Sequence, residues 1–281
     1  MIADAGAPAT AAVPATTDAA APPRPTRPKR SWSPILLPLA AVVAILAIWE
    51  LLSAGGIVSP LVLPSPTDVA KSLVEDRALY WTNARTTLLE IFLGSVIGVS
   101  LGVLFGVMVA LKRSIRAALY PLLVASQSLP VLALAPILVL WLGFGIAPKI
   151  VIVVQIIFFP VTVATIQGLT SVSHEVLVFG RSLGASASTI FWKVRVPAML
   201  PYLFGGLKIA SSYAAVAAVI GEYTGAEHGL GALMLRANSD YNIPVVFGSV
   251  VIVTVIGLTL FGLTSLAERK LTPWHRASTD R

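Results

Sequence analysis

His174-Glu175-Val176-Leu177-Val178-Phe179-Gly180-Arg181-Ser182-Leu183-Gly184-Ala185-Ser186, followed by Ile190-Phe191-Trp192-Lys193-Val194-Arg195-Val196-Pro197 and then Pro201, is the longest polar interruption in an otherwise apolar chain. Its residues predict two short helices with a forced bend between them. Val172, Val176, Phe179 and Leu183 fall at i, i+4, i+7 and i+11, one apolar helical stripe. Ser173 stands where an N-cap belongs, and Glu175 lies in the first turn, where the helix dipole favours an anion. Gly184 supplies the left-handed residue that ends the first helix. Ser186 caps the second, and Pro197 is expected to stop it, because the residue before a proline avoids helical angles.

On either side of this stretch, the composition makes the chain membrane. Of 281 residues 56% are hydrophobic and only 12% charged, against about 25% charged in soluble domains. Mean hydropathy is +0.86. The net charge of +7 does not point to nucleic acid, because the basic residues sit in short clusters beside apolar runs. There is no cysteine, so disulfides and thiolate metal sites are excluded, and His174, His228 and His275 are too scattered to suggest a metal site. No glycine-rich loop ends in Gly-Lys-Ser/Thr, so the chain has no P-loop for ATP.

Residues 1–30, rich in Ala, Pro and Thr, are expected to form a disordered tail. Residues 31–272 are read as the membrane domain, with the loop at 171–201, and 273–281 as a second tail. The first apolar run, Ile35 to Ala54, is long for a signal-peptide core and reads as an uncleaved span. Residues 55–86 form a connector, in which Leu63-Pro64-Ser65-Pro66-Thr67-Asp68 turns into a short amphipathic helix with Val69, Leu73 and Leu79 as its apolar points. The second span, Thr87–Leu111, carries Gly94, Gly98, Gly102 and Gly106 at every fourth residue, a groove that lets another helix approach closely. The third, Leu119–Leu140, holds Pro121, Pro130 and Pro136, which break or kink it. The fourth is Lys149–Gln167, the fifth Tyr202–Ile220 and the sixth Val245–Leu266. Gly221-Glu222-Tyr223 and Gly229-Leu230-Gly231 read as a re-entrant or surface segment.

Six spans place both termini on one side, and most basic residues share it: Arg24, Arg27, Lys29, Arg30, Lys112, Arg113, Arg116, Arg181, Lys193, Arg195, Arg269, Lys270, Arg276 and Arg281. Lys71, Arg77, Arg85, Lys149 and Arg236 fall on the other. The positive-inside rule makes the termini and the 171–201 loop cytoplasmic. A rigid apolar loop outside the bilayer then calls for a partner or a place on the membrane surface. Ionisable residues are expected only near span ends, Glu90 and Lys208 among them, which argues against a proton- or sodium-coupled relay.

The loop resembles the EAA loop of ABC importer permeases: Glu-Ala-Ala, three residues, Gly, nine residues, then Ile-x-Leu-Pro. Gly184 takes the glycine's place, and Val194-Arg195-Val196-Pro197 follows at the required distance. Arg181-Ser182-Leu183-Gly184-Ala185-Ser186 is the form common in the family, whereas Val178-Phe179-Gly180 replaces Glu-Ala-Ala. Glu175, nearly one helical turn earlier, is the candidate substitute carboxylate. Leu63-Pro64-Ser65-Pro66, Leu129-Pro130, Trp141-Leu142-Gly143-Phe144-Gly145, Gly221-Glu222-Tyr223 and Gly229-Leu230-Gly231 are similar, in order, to the nitrate/sulfonate/taurine-type subfamily. The resemblance implies an all-α membrane protein of six transmembrane helices with the type I ABC importer permease fold. It also implies a permease dimer, here with itself, two ATPase subunits that use ATP and Mg, and an extracytoplasmic substrate-binding protein, in the bacterial inner membrane. This chain itself is expected to bind no cofactor and catalyse no reaction. The ATPase-contacting residues it implies are Glu175, Val178, Phe179, Gly180, Arg181, Ser182, Leu183, Gly184, Ala185, Ser186 and Pro197.

Ser126, Gln127, Ser128, Gln155, Ser211, Ser212 and Tyr213 are the polar candidates for lining the translocation pathway; bonding to a neighbouring helix is the alternative use of each. The substrate implied is a sulfonate, taurine or nitrate, with a pyrimidine, thiamine-precursor or riboflavin-like heterocycle as the alternative. An autonomous channel or secondary carrier is the competing class, and it would transport without an ATPase. A membrane enzyme lacks paired catalytic groups within any span.

Overall fold

The computed structural model describes residues 33–274, so the expected tail over 1–30 and most of that over 273–281 lie outside the described residues. Every regular element among the described residues is a helix: α1 Ser33–Ala54, α2 Pro66–Glu75, α3 Arg77–Leu111, α4 Arg113–Ser126, α5 Val131–Leu142, α6 Ala147–Thr170, α7 His174–Ser182, α8 Ala187–Ile190, a π-helical turn Phe191–Arg195, α9 Val196–Glu222, α10 Leu230–Ser239 and α11 Ile243–Leu271. Five helices are long and apolar enough to cross a bilayer, or six if α4 and α5 count as one broken span. The chain divides into two compact units at Ile45. In the first, the described side chains Leu36–Ile45 are all exposed, as a lipid-facing helix requires. The second, from Leu46 onward, is the helix bundle.

In that bundle helix α6 lies between α3 and α9, and α11 packs on the far side of α9. Lipid tails are as apolar as the side chains, so close van der Waals fit rather than burial from water holds these helices together. The glycine groove of α3 provides that fit. A Cβ on Gly94, Gly98, Gly102 or Gly106 would stand 2.5, 3.1, 2.9 and 2.6 Å from Val153, Ile157, Val161 and Thr165 of α6. The pairing advances four residues at a time on both helices, so the two run side by side over about three turns. On its other side α6 meets the alanine face of α9: Ala210, Ala214, Ala215, Ala217 and Ala218 close around Val153, Ile157 and Val161. Gly206 brings the backbones nearer still, its missing Cβ leaving room for Ala164 and the Pro160 carbonyl.

Three span boundaries differ from the sequence reading. Helix α3 begins at Arg77 rather than Thr87, because the last part of the connector is helical and continuous with the span, while the amphipathic helix α2 ends separately at Glu75. Tyr80 anchors this extension: its hydroxyl shares a hydrogen bond with Ser72 (2.8 Å), and its ring occupies the space that Gly248 leaves on α11. The third span is two helices meeting at 96°, with the break at Gln127–Pro130. Pro130 lacks the N–H that would continue α4, and it starts α5 instead. Finally, Pro197 does not stop the second loop helix. Helical structure continues from Ala187 to Glu222, and Pro197 sits in the first turn of α9. The preceding turn widens to π geometry, in which the Val196 N–H donates to the Phe191 carbonyl five residues back. That extra residue takes up the register that Pro197, without an N–H, cannot maintain.

Candidate functional site

The bend at 171–201 is built as a capped elbow. Gly184 has φ 79°, and two hydrogen bonds close the end of α7: the Ala185 N–H donates to the Gly180 carbonyl (3.1 Å) and the Gly184 N–H to that of Arg181 (2.9 Å). This is the Schellman arrangement that a left-handed glycine permits. Ser186 then caps α8, its Oγ accepting from the Thr189 N–H (3.1 Å). Ser173 occupies the N-cap position of α7 but makes no capping bond with its side chain. Instead, the Glu175 carboxyl is held below its usual range by its own backbone N–H first and by the Ser173 hydroxyl second.

The elbow exposes its apolar side. Val172 precedes α7 and is half-buried, but Val176, Phe179 and Leu183 are 50%, 65% and 71% exposed, and Trp192 is 65% exposed. Val178, Arg181, Ser182 and Ser186 are exposed as well, whereas Gly180 and Ala185 are half-buried. Ile190 is the buried anchor. A Cβ on Gly180 would meet Ile190 Cδ1 at 3.7 Å, an ordinary contact, so the joint between α7 and α8 has room for an alanine at this position. Helix α8 runs through the π turn into α9 without a break, so a force on the elbow acts directly on α9.

A cavity of about 970 Å³ opens between α6 and α9, on the half of this hairpin nearer the elbow. Gln127, from the break between α4 and α5, and Tyr213 line it, together with Gln167 and Tyr202, which sequence reasoning took only as span ends. Phe159 and Pro160 also face it, and none of its lining residues is charged. Pro160 has no N–H to return to the Ile156 carbonyl, and Ile156 lies on this cavity, where a broken helical bond is tolerable. The other candidates are placed differently. Ser126 donates to the Leu123 carbonyl (2.6 Å), and Ser211 donates to that of Leu207 (2.7 Å) while sharing a bond with Thr264 on α11 (2.8 Å). Ser212 opens on a separate groove beside α11, and neither Ser128 nor Gln155 is among the lining residues of the large cavity.

At the opposite end of the hairpin, charge is buried where the sequence suggested none. Glu90, expected near a span end, is interior to α3, and both it and Glu222 are 0% exposed. Lys149 Nζ stands 3.3 Å from Glu90. The Thr87 hydroxyl donates to Glu222 Oε1 (2.6 Å) and in turn accepts from the Leu230 N–H (2.9 Å). The Gly231 N–H donates to Glu222 Oε2, and the Gly229 N–H to Asn83 Oδ1 (3.0 Å). Gly229-Leu230-Gly231, read from sequence as re-entrant or surface, is therefore a buried segment, with Leu230 0% exposed. Lys208 is likewise interior to α9, paired with Glu268 of α11.

Residues 98–273 match the family of binding-protein-dependent transport system inner membrane components. A probable ABC transporter permease protein of Haemophilus influenzae is 40% identical, over 81% of this chain and 93% of its own length. The formylaminopyrimidine transport permease protein of Halalkalibacterium halodurans is 35% identical, over 88% and 99%. The taurine transport system permease protein of Escherichia coli is 29% identical, over 86% and 90%. Among solved structures, the MetNI methionine ABC transporter in an inward-facing conformation shares the fold at TM-score 0.56 and 20% identity, covering 66% of this chain and 93% of its own.

Proposed function

The chain belongs to the family of binding-protein-dependent transport system inner membrane components, the permease subunits of ABC importers, and we propose that it passes a small heterocycle inward while a separate ATPase does the work. The exposed apolar row Val176, Phe179, Leu183 and Trp192 carries the ATPase assignment. An apolar patch on a rigid elbow outside the span is a docking surface that needs a partner. Two ATPase subunits, holding ATP and Mg, dock on the elbows of a permease homodimer; the chain itself binds neither and catalyses nothing. Closure of the ATPases pushes the elbow, the π turn transmits the push to α9, and the α6–α9 hairpin rocks as a rigid body. The termini and the elbow face the cytoplasm, lipid surrounds the spans, and an extracytoplasmic binding protein delivers solute at the Glu222 end.

The cavity favours a neutral, flat solute of the pyrimidine type. Its polar groups are the amides of Gln127 and Gln167 and the phenols of Tyr202 and Tyr213, which pair with ring donors and acceptors. An anion would cross without a countercharge on this lining, and selectivity along a pore follows its hydrogen-bonding and electrostatic groups. The sulfonate, taurine or nitrate reading is second, supported by the likeness to the taurine permease.

Two measurements test this. Phe179→Asp and Glu175→Lys change exposed positions, so they should leave the chain folded and weaken its retention of the ATPase on pull-down; undiminished retention in both removes α7 from the docking site. Proteoliposomes holding the complete transporter and its binding protein should take up a labelled aminopyrimidine in preference to taurine, and the reverse order assigns the anionic substrate.

A further inference from the structure

The Glu222 end carries a charge count that does not close. Two carboxylates, Glu90 and Glu222, are fully buried and come together through shared neighbours: Thr87, one turn before Glu90 on α3, donates to Glu222, and Lys149, which pairs with Glu90, has its Cα 3.1 Å from where a Cβ on Gly221 would stand. Lys149 is the one cation paired with them among the described residues. The other charged groups nearby are committed elsewhere. Arg236 of α10 donates to Asn83 Oδ1 (3.3 Å) and to the Glu227 backbone carbonyl. Glu227 and His228, between α9 and α10, line a cavity of about 340 Å³ together with Lys149. Tyr80, on α3, is bonded to Ser72. From α3 itself only the neutral Asn83 and Thr87 join the group. Glu222 is well supplied with donors, the Thr87 hydroxyl and the Gly231 N–H. Both Glu90 oxygens, by contrast, lack a well-directed hydrogen bond although Lys149 is close. A buried ion pair is tolerable only when its remaining lone pairs are satisfied, and an extra unpaired carboxylate is not.

We propose that Glu90 and Glu222 hold one proton between them, and that this proton-binding site, with Lys149, clasps α3, α6, α9 and the Gly229–Gly231 segment at the end of the hairpin opposite the elbow. With the proton on Glu90, its hydroxyl donates to Glu222, Lys149 balances the one remaining charge, and one Glu90 oxygen gains the partner it lacks while the other stays beside Lys149. Four separate stretches of chain then meet through one neutral hydrogen-bonded unit. Removal of the proton places two like charges against each other in a dry site, which forces the stretches apart.

The test needs neither the substrate nor the ATPase, so its result is independent of the function proposed above. The full chain, labelled with [¹³C]glutamate, is examined by infrared spectroscopy at about pH 7, where free carboxyls are ionised. The expected spectrum has a neutral glutamic-acid band that moves with the label and in D₂O, and that disappears in Glu90→Gln. Because the folded chain holds a proton that the unfolded chain releases above about pH 4, its melting temperature should fall as pH rises from there until the folded chain releases the proton too. Glu90→Gln, neutral and still a donor to Glu222, should match the native melting temperature near pH 4 and flatten the fall above it, whereas Glu90→Ala should melt lower than Glu90→Gln at every pH. Absence of the labelled band from the native chain overturns the proposal even if neither variant folds. Equal loss of stability in Gln and Ala variants overturns it too.

Discussion

Gly184 turns the elbow at φ 79° with open space where a side chain would go. A substitution there is therefore opposed by backbone conformation alone, with no clash to obscure the effect. Left-handed geometry costs a β-carbon residue about 1–2 kcal/mol, less for asparagine. Gly184→Val should open the bend between α7 and α8 and let the ATPase hydrolyse ATP without transport. Gly184→Asn should keep most of the coupling. The ratio of ATP hydrolysed to solute moved in proteoliposomes measures both, and a native ratio in the valine variant would show that the bend does not carry the force. Glu175 differs in kind: fully exposed, with its carboxyl held below the usual range, it stays ionised at neutral pH. What its charge adds to the start of α7 is present at and above neutral pH and is lost only as the solution becomes acid enough to protonate it.

Between neighbouring helices, α3 and α6 are joined by four glycine contacts of unequal tightness. This grades the outcome of adding a methyl group. Gly94→Ala places its Cβ 2.5 Å from the Val153 Cβ, a branch point that cannot swing away, whereas Gly98→Ala meets Ile157 at 3.1 Å. Overpacking of this kind costs about 1–3 kcal/mol. Gly94→Ala should lower the detergent melting temperature clearly, and Gly98→Ala by much less; a reversed order would mean that the two helices are not in this register. The spacing of these glycines already told which face of α3 receives a neighbour. It did not tell which helix the neighbour is, because a groove without side chains is equally open to any apolar helix. The π turn was illegible for a related reason. Pro197 forbids one hydrogen bond, and only the packing of α9 on α6 decides whether the helix ends there or widens by one residue.

Across the full length of the bundle, the elbow and the Glu90–Glu222 clasp lie at opposite ends of the α6–α9 hairpin, with the cavity on the elbow's half. The elbow should therefore be reachable from the cytoplasm and α2 from the other side. The chain contains no cysteine, so single cysteines report without background. In intact cells an impermeant thiol reagent should label Lys71→Cys and spare Glu175→Cys, and inside-out vesicles should reverse the pattern. Labelling of both positions from the same side would remove the inward force on which the proposed transport rests.

The membrane class, the approximate spans, the glycine groove and the capped bend at Gly184 could all be read from the order of residues. Each is written in a window of a few to some twenty residues, as hydropathy, periodicity or a required φ. The 96° break between α4 and α5, the lining of the cavity by Gln167 and Tyr202, and the meeting of Glu90, Lys149 and Glu222 emerge only in the folded bundle. Those three charges are far apart along the chain, and each taken singly reads as a residue near a helix end. The rotation and register of three packed helices bring them together, and those are set by side-chain fit across the whole bundle rather than by any local stretch.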